Sequence, residues 1–349
     1  MLAEGLVARG ASVTCLVSNT TLRTEKQELN GVRVTRAARL GEVFSTPLCP
    51  SFFWQFDGDE HDIINVHEPN PTADACVALR RKKRPLVVSY HSDVVRQWWA
   101  KRLYYQLLDR VLSQADRIVV ATEAHIRGSD ILKRYASKCE IIPYGIPLDR
   151  LALTEDVRHR ARAARKALAF DYLILAVGRL VSYKGFDNLI EALCDVPNAG
   201  LVIVGSGPME RHLRGAAAAA DLDGRVRFAG QVDDATLLAH YHAADLVVMP
   251  SISRAEAFGL VQVEAMACGK PVVSTLLPSG APTVNVSGET GLCVEPGSAS
   301  ALASAMNELL RDDTLRARMG DNGRRRVAQL YRADRMVEAY ANLYEHLAH

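Results

Sequence analysis

The 349 residues lack a membrane span, an export signal and a disulfide framework. No apolar run reaches the roughly 18 residues that crossing a bilayer takes. The opening MLAEGLVARG carries an acid and no cleavage site, so a soluble cytosolic chain is expected. Cys15, Cys49, Cys76, Cys139, Cys194, Cys268 and Cys293 are odd in number and scattered, with no CxxC pair and no histidine-rich neighbourhood. That pattern argues against zinc and predicts reduced, mostly buried thiols. The formal net charge of +2 is too small to point to nucleic acid. What is abundant is apolar residue, 48% of a chain longer than one hydrophobic core usually serves, which predicts two domains and a cleft between them.

Apolar runs of strand length alternate with helical patterns throughout. The first part carries SVTCLVSN, DIINVH, PLVVSYHS, RIVVAT and CEIIPYG, and the second YLILAVGR, AGLVIVGSG, RVRFAGQV, DLVVMPS and KPVVST. Such alternation predicts parallel sheets covered on both faces, an α/β chain of two doubly wound domains. The polar stretch from about 150 to 168, rich in Arg, Ala and acid, reads as the linker. The expected domains are therefore 1–165 and 166–332, and the amphipathic helix 333–349 returns to the first. The start reads as the end of a helix, a Gly10 cap and a strand, so a first strand and its loop are expected to be missing.

Ligands of doubly wound sheets bind beyond the carboxyl ends of the strands. After LILAV comes GRLVSYKG, where Gly178 allows close backbone access and Arg179 and Lys184 are two cations able to converge on a diphosphate. After LVIV comes GSGPMER, in which Gly205, Gly207 and Pro208 form a tight loop opening a helix, a setting that favours an anion. After LVVMPS comes ISRAEAFGLVQVEAMACGK, with Glu256 in the loop, Phe258, Gly259 and Leu260 at the helix start, and Glu264 one to two turns inside. Glu264 has the reach to accept from two ribose hydroxyls, and Glu256 would then face whatever the diphosphate carries.

In combination and in order, VHEPNP, YHSDVVRQ, IIPYGI, VGRLVSYKG, VGSGPMER and EAFGLVQVEAMACGKPVV resemble the retaining glycosyltransferases of family four, over nearly the whole chain. The resemblance implies the GT-B fold, with two Rossmann-like domains facing a cleft. It implies that Arg179 and Lys184 bind the donor diphosphate, that Glu264 holds the ribose, and that Glu256 contacts the donor sugar. His91 matches a family histidine that reaches sugar and phosphate from the other domain. No nucleophile is well placed, and the mechanism implied is same-face attack with the leaving phosphate helping to deprotonate the acceptor. The donor is a nucleotide sugar acting as substrate, GDP-mannose or a UDP-hexose. No cofactor or metal is expected, because two cations and a helix end can already neutralise the leaving diphosphate. The DxD in FDGDE, Asp57 and Asp59, reads as loop solvation.

The segment LPSGAPTVNVSGETGL (277–292) resembles the variant acting in bacterial surface-polysaccharide assembly, where acceptors are lipid-linked sugars. A glycan or polyprenyl-linked acceptor is therefore expected. Trp98, Trp99, Tyr104 and Tyr105 lie among Arg96, Lys101, Arg102 and Arg110, after RRKKR at 80–84. Two readings stand: a segment lying on an anionic membrane, or aromatics in the core with solvated cations. His67 either contacts ligand or braces its loop. The other functions carried are a catalytically impaired nucleotide-binding homologue lacking the first loop, and a GT-B sugar-nucleotide epimerase.

Overall fold

The computed structural model describes residues 1–43, 46–56, 60–79, 84–93, 98–166 and 170–348. The chain divides into two compact units, Met1–Gly145 with Ala333–His349, and Ile146–Arg332.

In the first unit, β1 (Thr14–Ser18), β2 (Glu25–Leu29) and β3 (Val32–Ala37) form a sheet in the order β1-β3-β2. β4 (Gly41–Val43) and β5 (Thr46–Leu48) form an antiparallel pair. β6 (Ile64–Glu68), β7 (Leu86–Tyr90), β8 (Arg117–Val120) and β9 (Cys139–Ile141) are parallel and follow one another across the sheet. Every residue of β7 is buried, which is why LVVSY contains no polar alternation. The helix Ala333–Ala348 packs Met336, Tyr340 and Leu343 against Val87 and Val119 of this sheet, and Val337 and Ala341 against Leu6.

β2 and β3 are antiparallel, as are β4 and β5, where parallel strands alone were expected. EKQEL in β2 is exposed at every position and has no apolar signature. It is held by backbone pairing across the two-residue turn Asn30-Gly31, both at positive φ, and Asn-Gly between strands is the available signal for such a hairpin.

The second unit is built on one parallel sheet: β10 (Tyr172–Val177), β11 (Ala199–Val204), β12 (Val226–Gly230), β13 (Leu246–Met249), β14 (Val272–Thr275) and β15 (Gly291–Val294). Their spatial order is β12-β11-β10-β13-β14-β15. The chain runs outward from β10 to one edge, returns beside it as β13, and runs to the other edge. The topological switch point, where loops diverge and leave a crevice, therefore lies at the carboxyl ends of β10 and β13. Leu189, Ile190, Leu193, Leu302, Met306 and Leu309 from the helices Phe186–Leu193 and Ala299–Arg311 seal one face, each at 0–1% exposure. Full burial of such a side chain contributes about 1.5–3 kcal/mol.

The division between units falls at Gly145/Ile146, ahead of the expected 165/166. The segment that read as a linker is largely the helix Glu155–Lys166, whose Arg and acid residues are its solvent face. It buries Val157 and Ala161, and Arg165 binds Asp245 Oδ2 at 2.5 Å, so it belongs to the second unit. All seven cysteines are free. Cys49, Cys76 and Cys268 are buried, whereas Cys194 at the end of its helix is exposed.

Candidate active site

The two loops at the switch point are pressed together by glycines. Gly185 follows the turn Ser182–Lys184, and a Cβ there would collide with the Pro250 carbonyl; Ile252 N donates to Tyr183 O at 2.8 Å. This contact delivers Lys184 to the loop after β13. Lys184 Nζ donates to Glu256 Oε2 at 2.5 Å, with side-chain exposures of only 13% and 10%. Ser251, fully buried immediately beyond β13, donates to the same oxygen at 2.8 Å. Glu256 Oε1 takes neither bond. Two of the predicted residues, 72 positions apart, thus form one charged unit. Arg179, just beyond β10, is exposed; its backbone carbonyl accepts from Val181 N at 2.9 Å, and its guanidinium has no hydrogen-bond or ion-pair partner among the described residues.

The helix Leu260–Ala267 begins beside this pair, with Gly259 as its cap at φ 76. The first-turn amides of a helix have no carbonyl partner within it and carry the positive end of its dipole. Phe258 is 3% exposed and packs edge-on against Tyr331 at 5.7 Å, so its ring is core. Gln262 is fully buried and donates to Phe258 O and Ala281 O, each at 3.1 Å, which fixes the loop that ends at Gly259. Glu264 accepts from Tyr241 Oη at 2.6 Å. Burial pushes the Glu264 carboxyl above its usual range, and the Tyr241 bond pulls against that shift.

Gly205 and Gly207 have a structural account of their own. A Cβ at either position would collide with the Gly178 or Leu180 carbonyl, and Leu180 N donates to Ser206 O at 2.9 Å. The GSGP loop thereby braces the strand end that carries Gly178 and Arg179. Pro208 and Leu260 are exposed.

His91 belongs to the first unit. It follows β7, and its N–H bonds to Glu68 O at 3.1 Å. Its ring is held at both nitrogens, Nδ1 to Tyr144 Oη at 2.5 Å and Nε2 to His67 Nδ1 at 2.9 Å. Burial foremost, with the charges of His67 and His125, pushes His91 down to about 4. It is a neutral, oriented ring at pH 7, and His67 stacks on it at 5.1 Å. Tyr104 and Tyr105 pack against the core, and Tyr104 Oη donates to Glu68 at 2.8 Å, which matches the core reading for these two aromatics. Asp57, Asp59, Arg96, the run at 80–83 and the side chains of Trp98, Trp99, Lys101 and Arg102 lie outside the described residues.

Sequence reasoning singled out Lys184, Glu256, Glu264 and His91 but gave no role to Ser251, Tyr241, Gln262 or Tyr144. Ser251 was findable as the polar residue directly beyond a strand. The others act through contacts between distant segments, which leave no local pattern. Among the described residues no three His, Cys, Asp or Glu side chains gather as a metal site would require, and no helix is long and apolar enough to cross a membrane.

A doubly wound parallel sheet with these loops at its switch point is the architecture found in GT-B glycosyltransferases. Sucrose-phosphate synthase of Thermosynechococcus elongatus superposes with a TM-score of 0.83 at 26% identity, covering 99% of this chain and 91% of that one. Residues 1–150 match the family model described as Glycosyltransferase Family 4, and residues 159–326 that described as Glycosyl transferases group 1. The O-antigen chain mannosyltransferase C of Escherichia coli is 32% identical over 347 residues, 98% of this chain and 91% of the relative. The D-rhamnosyltransferase WbpZ of Pseudomonas aeruginosa is 36% identical over 308 residues, 87% and 79% respectively. The chain belongs to glycosyltransferase family 4 and is a glycosyltransferase.

Proposed function

We propose that the enzyme transfers mannose from GDP-mannose, with retention at the anomeric carbon, to a lipid-linked or other glycan acceptor in bacterial surface-polysaccharide synthesis. The observation that carries the reading is the Lys184–Glu256 pair beside exposed Arg179 and the helix start at Gly259. Lys184 has three N–H donors and spends one on Glu256, leaving the others for a phosphate oxygen. Arg179 supplies a second cation. As the bond from the anomeric carbon to the β-phosphate oxygen breaks, negative charge grows on the diphosphate, and these cations with the helix amides stabilise it. Glu256, held at one oxygen, orients the sugar and meets the positive charge developing at its anomeric centre, while Glu264 holds the ribose. The acceptor hydroxyl attacks from the side the phosphate leaves, and a phosphate oxygen takes its proton. No metal step is needed in this scheme. The choice of mannose and of a surface glycan rests on the name of the Escherichia coli relative. Peripheral attachment to an anionic membrane through Trp98, Trp99, Lys101 and Arg102 is part of the same proposal.

The test is incubation with GDP-mannose or UDP-glucose and a polyprenyl-diphosphate glycan, in EDTA, followed by proton NMR of the anomeric signals. Release of GDP coupled to an α-linked product is expected. A β-linked product, an epimerised donor without acceptor, or activity only with UDP-glucose would overturn the corresponding part of the reading.

A further inference from the structure

The geometry points to Tyr241 as the positioning residue that makes Glu264 selective for a ribose diol. The inference rests on the proposed nucleoside-diphosphate site. Tyr241 lies on the helix Asp234–Ala243, is fully buried, and donates its hydroxyl to Glu264 Oε2 at 2.6 Å. Glu264 itself is only partly buried, so one carboxylate oxygen is fixed from behind while the group keeps an open side. A carboxylate free at both oxygens would rotate about its last bond and have to be ordered when a ligand arrives. Anchored at Oε2, it presents Oε1 in one direction, able to accept from one or both of two neighbouring hydroxyls.

The bond also acts on charge. The groups facing Glu264 are Tyr241 and Asp234 from the neighbouring helix and Cys268 at the end of its own. Burial and Asp234 both favour the protonated acid, and the Tyr241 hydroxyl opposes them. A protonated Glu264 would lose part of its capacity to accept from a diol. Tyr241 thus keeps the acceptor both aimed and ionised, at the cost of burying a phenol that needs a partner.

Tyr241→Phe keeps the ring and removes the donor. Calorimetric titration of the full chain would compare a ribonucleoside diphosphate, GDP or UDP according to which wild type binds more tightly, with its 2′,3′-dideoxy analogue. Wild type is expected to prefer the ribonucleotide. In Tyr241→Phe that binding weakens about tenfold while dideoxy binding is unchanged, so the preference collapses, and the pH below which it fades moves upward. A merely structural role would weaken both ligands together and would overturn the inference. Glu264→Gln separates the two levels. If it abolishes the preference and Tyr241→Phe retains it, the positioning role is wrong and the ribose assignment stands. If wild type shows no preference at all, the ribose assignment and the inference built on it both fall.

Discussion

Breaking the Lys184–Glu256 pair should weaken the second unit and leave the first untouched. At 2.5 Å and an effective dielectric of about 20, the gross attraction is about 7 kcal/mol. Desolvation of two side chains that are only 13% and 10% exposed offsets much of that. Removing one partner of such a pair leaves a buried uncompensated charge and typically costs about 3–5 kcal/mol. Lys184→Met should fall at the low end, because the Ser251 hydroxyl remains on Glu256. Glu256→Gln should cost less, since an amide can still accept from both donors. A double-mutant cycle is then expected to give a coupling of about 2–3 kcal/mol. All three tryptophans, Trp54, Trp98 and Trp99, belong to the first unit, so fluorescence reports that unit alone. Hydrogen exchange of peptides from β10 and β13 reports the second. Coupling below about 0.5 kcal/mol, or a change confined to the fluorescence transition, would mean that the pair behaves as two independent charges and that the switch-point argument is wrong.

The two glutamates should separate kinetically. Glu264→Gln raises the nucleotide dissociation constant about tenfold with little loss of turnover at saturation, whereas Glu256→Gln lowers turnover about a hundredfold with nucleotide binding retained; equal effects on both parameters in both variants would remove the division of roles. The first unit should lose stability in acid. His91 is lowered from its ordinary 6.5 to about 4, so the unfolded chain binds its proton first as pH falls. The stabilisation is complete above about 6.5 and is lost by about 4, up to about 3 kcal/mol. His67 and His125 shift in the same direction. Urea midpoints followed by tryptophan fluorescence should fall across that window, and His91→Asn should flatten the slope; an unchanged slope would mean that His91 is not held neutral.

Strands buried on both faces were legible because LVVSY, YLILAV and AGLVIV are short, largely apolar runs, and the search just beyond the strands' carboxyl ends led to Arg179, Lys184 and Glu256. β2 was not legible, because EKQEL exposes every side chain and so carries no apolar alternation. The domain boundary misled for a related reason: the helix Glu155–Lys166 faces solvent with its charges and reveals its buried side by only Val157 and Ala161. Within the site, residue identity was readable and partnership was not. Lys184 bonds a residue 72 positions away, Tyr144 bonds one 53 away and Tyr241 one 23 away. Such pairings depend on which strands become neighbours, and no spacing encodes them.

The central claim is that the crevice beyond β10 and β13 binds a nucleoside diphosphate through its β-phosphate, and titration of GDP against GMP reads that contact directly. Wild type should bind GDP at least a hundredfold more tightly than GMP, on the order of 3 kcal/mol. Arg179→Ala, at an exposed position with stability expected to stay within about 0.5 kcal/mol of wild type, should remove most of that difference while leaving GMP binding as it was. Equal affinities for GDP and GMP in wild type, or an undiminished difference in Arg179→Ala, would contradict the account.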